Sequence, residues 1–180
     1  MIIWINGPFG GGKTTLSNAL INLIPNSIIF DPEQIGFIIH KTVPESRTED
    51  FQNFPMWREH VILFAKNLEK QFGKNLIIPM TLVNPKYIDE IHAGLKSNGS
   101  KFFHYFLQLD EVTLRKRITD QVMVPQNVER DQEIRQWRLG QVTRCVEATR
   151  SMPKDTIFLN SGRSTPEDLA EKILVFIGQQ

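Results

Sequence analysis

One cysteine, Cys145, stands in a chain of 180 residues, so no disulfide can close within it. Inside a helical pattern it reads as a small buried hydrophobe rather than a reactive thiol. Long apolar runs are missing too, and nothing approaches the ~18 residues of a transmembrane helix. The apolar opening stretch is broken by Gly7 and Pro8 and has no basic leader, which argues against a signal peptide. A reduced, cytoplasmic setting is the expectation. Charge of one sign is also lacking: 21 basic and 20 acidic residues leave a net charge of +1. That balance disfavours nucleic acid or an anionic membrane as the main partner. His40, His60, His92 and His104 show no metal-ligand spacing, and His104, within an apolar run, reads as a core histidine.

What is present is an alternation of short apolar runs with longer amphipathic segments. "IIWIN" (2–6), "SIIF" (27–30), "NLIIPM" (75–80), "FFHYFLQLD" (102–110) and "DTIFLN" (155–160) read as strands. They are apolar along their length, as strands covered on both faces are. Residues 13–24 form a helix stopped by Pro25, and apolar positions from Phe54 to Phe72 predict a long helix over 52–72. Trp57 falls on its core face. Further helices follow "NP" at 84–85, start at Asp110, and run over 164–177, the last with Ser164 and Glu167 in capping-box spacing. Five strands alternating with helices predict an α/β fold: a parallel sheet, helices on both faces, within a single domain spanning 1–180. Residues 119–136 are polar and strand-free, and a segment over about 119–138 is either a surface excursion or a mobile lid.

"GPFGGGKT" fits G-x-x-x-x-G-K-[ST] at Gly7, Gly12, Lys13 and Thr14. A loop that wraps a diphosphate must turn backbone N–H groups inward, through dihedrals that glycine adopts cheaply. The helix behind it adds unpaired N–H groups and the positive end of its dipole. Gly7, Pro8, Phe9, Gly10, Gly11, Gly12, Lys13, Thr14 and Thr15 are therefore the expected ATP-binding loop. Lys13 reaches the β- and γ-phosphates, and the Thr14 hydroxyl ligates Mg²⁺. The strand before and helix after the loop supply the required context and predict a P-loop NTPase fold.

No Asn-Lys-x-Asp triplet marks guanine recognition and no Leu-Ser-Gly-Gly-Gln run marks a transporter ATPase. A chain of this size fits a small-molecule kinase better than a switch or motor. Asp31 ends the second strand, on the edge where open α/β sheets bind ligands. Its carboxylate suits proton acceptance from a hydroxyl, water-mediated contact with Mg²⁺, or simply the cap of the helix that "DPE" begins.

"MIIWINGPFGGGKT", "FDPEQIGF", "DFQNFPMWR", "LIIPMTLVNPKYIDEI" and "TRCVEA" together resemble the tunicamycin-resistance ATP-binding proteins. The wider resemblance is to adenylate-kinase-like and shikimate-kinase-like small-molecule kinases, chloramphenicol phosphotransferase among them, and it implies a five-stranded parallel sheet in the order 2-3-1-4-5. The order and spacing of "DPEQIGF", "PMWR" and "IIPMT" carry more specificity than the glycine loop. The resemblance implies that Asp31 sits beside an acceptor hydroxyl, with Arg58 and Thr81 also on the substrate side. It implies that Arg117 stacks on adenine while the loop containing Ser161 and Gly162 lies on the other face of the base. Arg130, Arg135 and Arg138 become candidates to clamp the transferring phosphate. Each arginine also has a plainer reading as a solvated helix position. One departure stands out: Met80 and Thr81 occupy the place where many P-loop proteins carry an Mg²⁺-holding aspartate, so Asp31 would share that task.

These readings lead to an ATP- and Mg²⁺-dependent phosphotransferase acting on a small hydroxyl compound, with tunicamycin-like nucleosides the implied acceptor class. A protein that sequesters the antibiotic without modifying it, and a kinase of ordinary nucleosides or metabolites, remain the alternatives.

Overall fold

The computed structural model describes residues 1–97 and 99–179. Five strands, β1 (Ile2–Asn6), β2 (Ser27–Ile29), β3 (Asn75–Met80), β4 (Phe102–Gln108) and β5 (Ile157–Asn160), form one sheet in the order β2-β3-β1-β4-β5. Every pairing is parallel, with Ile3 opposite both Ile77 and Phe103. The fold is the α/β P-loop arrangement expected from the alternation of apolar runs and helices.

The helices are α1 (Lys13–Leu23), α2 (Glu33–Thr42), α3 (Pro55–Phe72), α4 (Pro85–Lys96), α5 (Glu111–Asp120), α6 (Val128–Gly140), α7 (Val142–Glu147) and α8 (Pro166–Gly178). Alternate residues of β1 feed two cores. Ile2 and Trp4 face Trp57 and Val61 of α3 and Ile88 and Ile91 of α4, whereas Ile3 and Ile5 face Leu16 and Leu20 of α1 and Leu169 and Ile173 of α8. Both faces being buried explains why the strand residues are apolar without alternation.

Helix boundaries differ from expectation where a cap decides them. Residues 51–53 form a 3-10 turn and α3 starts only at Pro55, whose ring suits the first helical position. Gly73, at φ 61°, ends it. The capping box of α8 is Thr165 with Asp168, one residue on from the expected Ser164 and Glu167. Pro166 occupies the first turn, which leaves Thr165 as the cap. The polar stretch after α5 is largely helical: Asn127 caps α6 by accepting from the Arg130 N–H. Cys145 is buried against Val83 and Ala148, and burial pushes its thiol pKa up.

Two histidines lie in the core beneath the strand ends. His104 is bracketed by the Thr156 hydroxyl on Nδ1 (2.8 Å) and the Asn6 amide on Nε2 (3.3 Å). The Asn6 NH₂ can only donate, so Nε2 accepts and Nδ1 carries the proton. His92 packs edge-on against Trp4, with neither ring nitrogen hydrogen-bonded among the described residues. Burial holds His92 at about 3 and His104 at about 4, so both are neutral in the fold. In the unfolded chain both titrate near 6.5, so the unfolded state takes up more protons below that pH. Stability from this pair is fully present above pH ~6.5 and is lost as the pH falls, towards about 4 for His104 and about 3 for His92. Denaturant unfolding at pH 5 should therefore show a loss on the order of 2 kcal/mol per histidine relative to pH 7. His92→Phe should flatten that slope, and an unchanged slope in the variant would refute the assignment.

Candidate functional site

The strand-to-helix loop after β1 carries Gly7 at φ 145°, Gly10 at 77° and Gly12 at 96°. At Gly7 a Cβ would stand 3.0 Å from the Leu107 Cβ and 3.2 Å from its carbonyl oxygen, so close strand packing as well as dihedral excludes a side chain. Gly12 faces open space and needs only its backbone freedom, at the residue that precedes α1. The mouth of this loop opens into a cleft of about 620 Å³ lined by residues 9–16 together with groups from five other segments.

Asn6, fully buried, ties the loop to the exit of β3. Its Oδ1 accepts from the N–H groups of Gly7 (2.8 Å) and Leu82 (3.0 Å), and its Nδ2 donates to the Leu82 carbonyl (2.7 Å). Lys13 folds back over the same junction. Its Nζ donates to the carbonyls of Gly7 and Pro8 (both 2.9 Å) and to the Thr81 hydroxyl (2.7 Å), which itself donates to Gly7 O (2.9 Å). Burial strips water from the ammonium and lowers its pKa to about 8, with the Glu33 and Asp31 charges opposing. Thr81 thus reaches the cleft through Lys13 rather than by lining it.

At one end of the cleft stand Asp31 and Glu33. Asp31 accepts from the Glu33 N–H (3.0 Å) and the Gln34 side chain (3.4 Å), so it serves as the turn's cap as well as facing the cleft. Trp57, buried as expected, fixes this turn by donating its indole N–H to the Pro32 carbonyl (3.0 Å). Burial first, and the Asp31 charge second, raise the Glu33 pKa, with Lys13 and Arg138 opposing. Glu33 was not among the residues expected here. The "DPE" run reads as a helix start, and only the fold turns its second acid towards Lys13.

Arg138 lines the same end, 5.8 Å from the Phe9 ring centroid, and donates to the Gln121 side chain (3.0 Å). Trp137 packs edge-on against Phe9 at 4.9 Å, so α6 rests on the glycine loop through an aromatic contact. The other two candidate arginines point elsewhere. Arg130 pairs with Glu133 on the exposed face of α6, and Arg135 pairs with Asp131. Neither lines the cleft. Arg58 is likewise turned away, held by Glu90 (2.6 Å) and the Gln52 carbonyl (2.6 Å) with its guanidinium 4.3 Å from the Tyr87 ring centroid.

Elsewhere on the cleft wall Arg117 donates to the Ser161 carbonyl (2.8 Å), and both residues line the cleft with Ser164 and Pro166. Gly162 follows, its N–H bonded to the Asn160 side chain (3.1 Å). Thr14 and Thr15 stand exposed at the start of α1 and also line the cleft. Among the described residues no group of three or more His, Cys, Asp or Glu side chains forms a metal site. The donors present, the Thr14 hydroxyl and the Asp31 carboxylate, fit an Mg²⁺ ion that keeps most of its water and relies on phosphate oxygens.

No protein-family model and no curated protein matches the chain. Among solved structures, the Deinococcus radiodurans tunicamycin resistance protein superposes with a TM-score of 0.76 at 23% identity, over 98% of this chain and 95% of that one. A sugar kinase from Janibacter sp. HTCC2649 gives 0.66 at 16% identity, covering 98% and 94%. The shikimate kinase of Bacteroides thetaiotaomicron gives 0.59 at 21% identity, covering 99% and 98%. The chain shares with them a P-loop, small-molecule-kinase-like fold.

The Gly7 geometry yields a direct test. Gly7→Ala forces a Cβ against Leu107 at a dihedral that alanine disfavours, which costs on the order of 1–3 kcal/mol. Thermal unfolding should drop by several degrees, and a variant as stable as the parent would contradict the packing described.

Proposed function

We propose that the protein is an ATP- and Mg²⁺-dependent phosphotransferase that acts on a hydroxyl of a small molecule, with tunicamycin-like nucleosides as the acceptor class. One observation carries the reading: the glycine loop and Lys13 open into the same cleft as the Asp31–Glu33 carboxylates. Phosphate-binding and proton-accepting chemistry are thus within one cavity. The kinase folds of the neighbours support the reaction type, and the similarity to a tunicamycin resistance protein supports the acceptor class.

In this reading the base lies between Arg117 and the Ser161–Ser164 loop, and the polyphosphate lies along residues 10–15, where the glycine loop runs into α1. Thr14 and Asp31 are the residues that would hold Mg²⁺, which would supply charge neutralisation at the phosphates. The acceptor oxygen attacks the γ-phosphorus, the bond from that phosphorus to the β,γ-bridging oxygen breaks, and the acceptor proton passes to the Asp31 carboxylate. Lys13 and Arg138 face the charge that spreads over the transferring group, so catalysis is mainly positioning and electrostatics. The stretch after α5, from Gln121 through α6, serves as a lid over the cleft.

Mass spectrometry of tunicamycin incubated with protein, ATP and Mg²⁺ should show a product heavier by one phosphate. Lys13→Ala should reduce its formation at least ~10³-fold, since the phosphate contact is lost in the transition state. The sequestering alternative predicts unmodified tunicamycin that co-elutes with the protein, and Asp31→Asn that still binds it. Asp31→Asn with full phosphorylating activity would remove the assigned role of that carboxylate.

A further inference from the structure

Arg58 is the buried cation that the cleft does not use. Only 7% of its surface is exposed. Its Nε–H meets Glu90 on α4, its terminal N–H meets the Gln52 carbonyl, and one face covers the Tyr87 ring. The contacts continue inward. Gln52, in the 3-10 turn before α3, donates its side-chain N–H to the Thr81 carbonyl (3.0 Å). Thr81 accepts from Lys13 and donates to Gly7 O through one hydroxyl. A continuous path of hydrogen bonds therefore runs from Glu90, on the outer side of the fold, through Arg58, Gln52 and Thr81 to the lysine of the glycine loop.

We infer that Arg58 is a positioning residue which, anchored by Glu90 and acting through Gln52 and Thr81, holds the Lys13 side of the phosphate cradle in place. This rests on the proposed ATP binding and extends it to residues that touch no ligand. The physical basis is pre-organisation. Thr81 is fixed at both its carbonyl and its hydroxyl, so the first residue of the loop and the lysine keep one arrangement before phosphate arrives. A bidentate, planar guanidinium suits this task because it can bind a carboxylate and a carbonyl at once while lying on an aromatic face. With 7% of its surface exposed, an arginine occupied in this way presents little of itself to an acceptor.

The account makes Glu90 the informative position, since its side chain is 41% exposed on α4 and does not line the cleft. Calorimetric titration with Mg·ATP should show Glu90→Gln and Gln52→Ala each weakening binding ~3–10-fold, with unfolding midpoints close to the parent's. Arg58→Lys should behave like Glu90→Gln, because lysine lacks the planar fork that spans both acceptors while lying on the Tyr87 ring. The decisive comparison is a double-mutant cycle with Thr81→Val: once the hydroxyl is gone, Glu90→Gln should add little further loss. Unchanged or tighter ATP binding in Glu90→Gln, or full additivity with Thr81→Val, overturns the inference. Failure of the unmodified protein to bind ATP would instead overturn the proposed function beneath it.

Discussion

The amide of Asn6 is the junction on which the cleft depends. It ends the central strand, is excluded from water, and binds the backbone on both sides of the point where β1 and β3 diverge. A parallel sheet leaves the carboxyl ends of its strands to open into loops, and without a tie those loops have no fixed spacing. Asn6 supplies the tie with three hydrogen bonds to the main chain and leans on neutral His104 for a fourth. A buried amide with all its groups satisfied specifies one arrangement, whereas an apolar residue there would leave two backbone N–H groups without partners. The glycine loop then inherits its position from the strand.

From that junction the charges are distributed in a recognisable order. Lys13 is enclosed by carbonyls and a hydroxyl, Asp31 and Glu33 sit across from it, and Arg138 comes in from α6. Burial makes the lysine easier to deprotonate and the Glu33 carboxyl harder to ionise, so each is more responsive to an incoming anion or cation than it would be in water. The aromatic contact between Phe9 and Trp137 joins α6 to the loop without adding charge. In the proposed reaction these are the groups that meet phosphate, metal and acceptor.

Much of the sheet was legible because both its faces are covered. Runs such as "IIWIN" and "NLIIPM" contain too few polar residues to be anything but buried, and glycine with lysine directly after the first run marks the loop. The last helix shows how a small ambiguity is settled. Ser164–Glu167 and Thr165–Asp168 have the same spacing, and only the preference of Pro166 for the first helical position separates them. What could not be read was direction across the fold. Arg58 and Arg138 have similar neighbours in sequence, yet one turns outward to Glu90 and the other lines the cleft, because Tyr87, Glu90 and Gln52 meet only after folding. Glu33 is hidden in the sequence for the same reason: its role as a helix-starting acid is local, and its approach to Lys13 is not.

The most direct measurement is a crystal structure with Mg²⁺ and a non-hydrolysable ATP analogue. The account predicts the triphosphate along residues 10–15 with Lys13 on its terminal phosphates, the base against Arg117 and the Ser161–Ser164 loop, and the γ-phosphate facing Asp31. An analogue bound elsewhere, or a γ-phosphate directed away from the Asp31–Glu33 end, would contradict it.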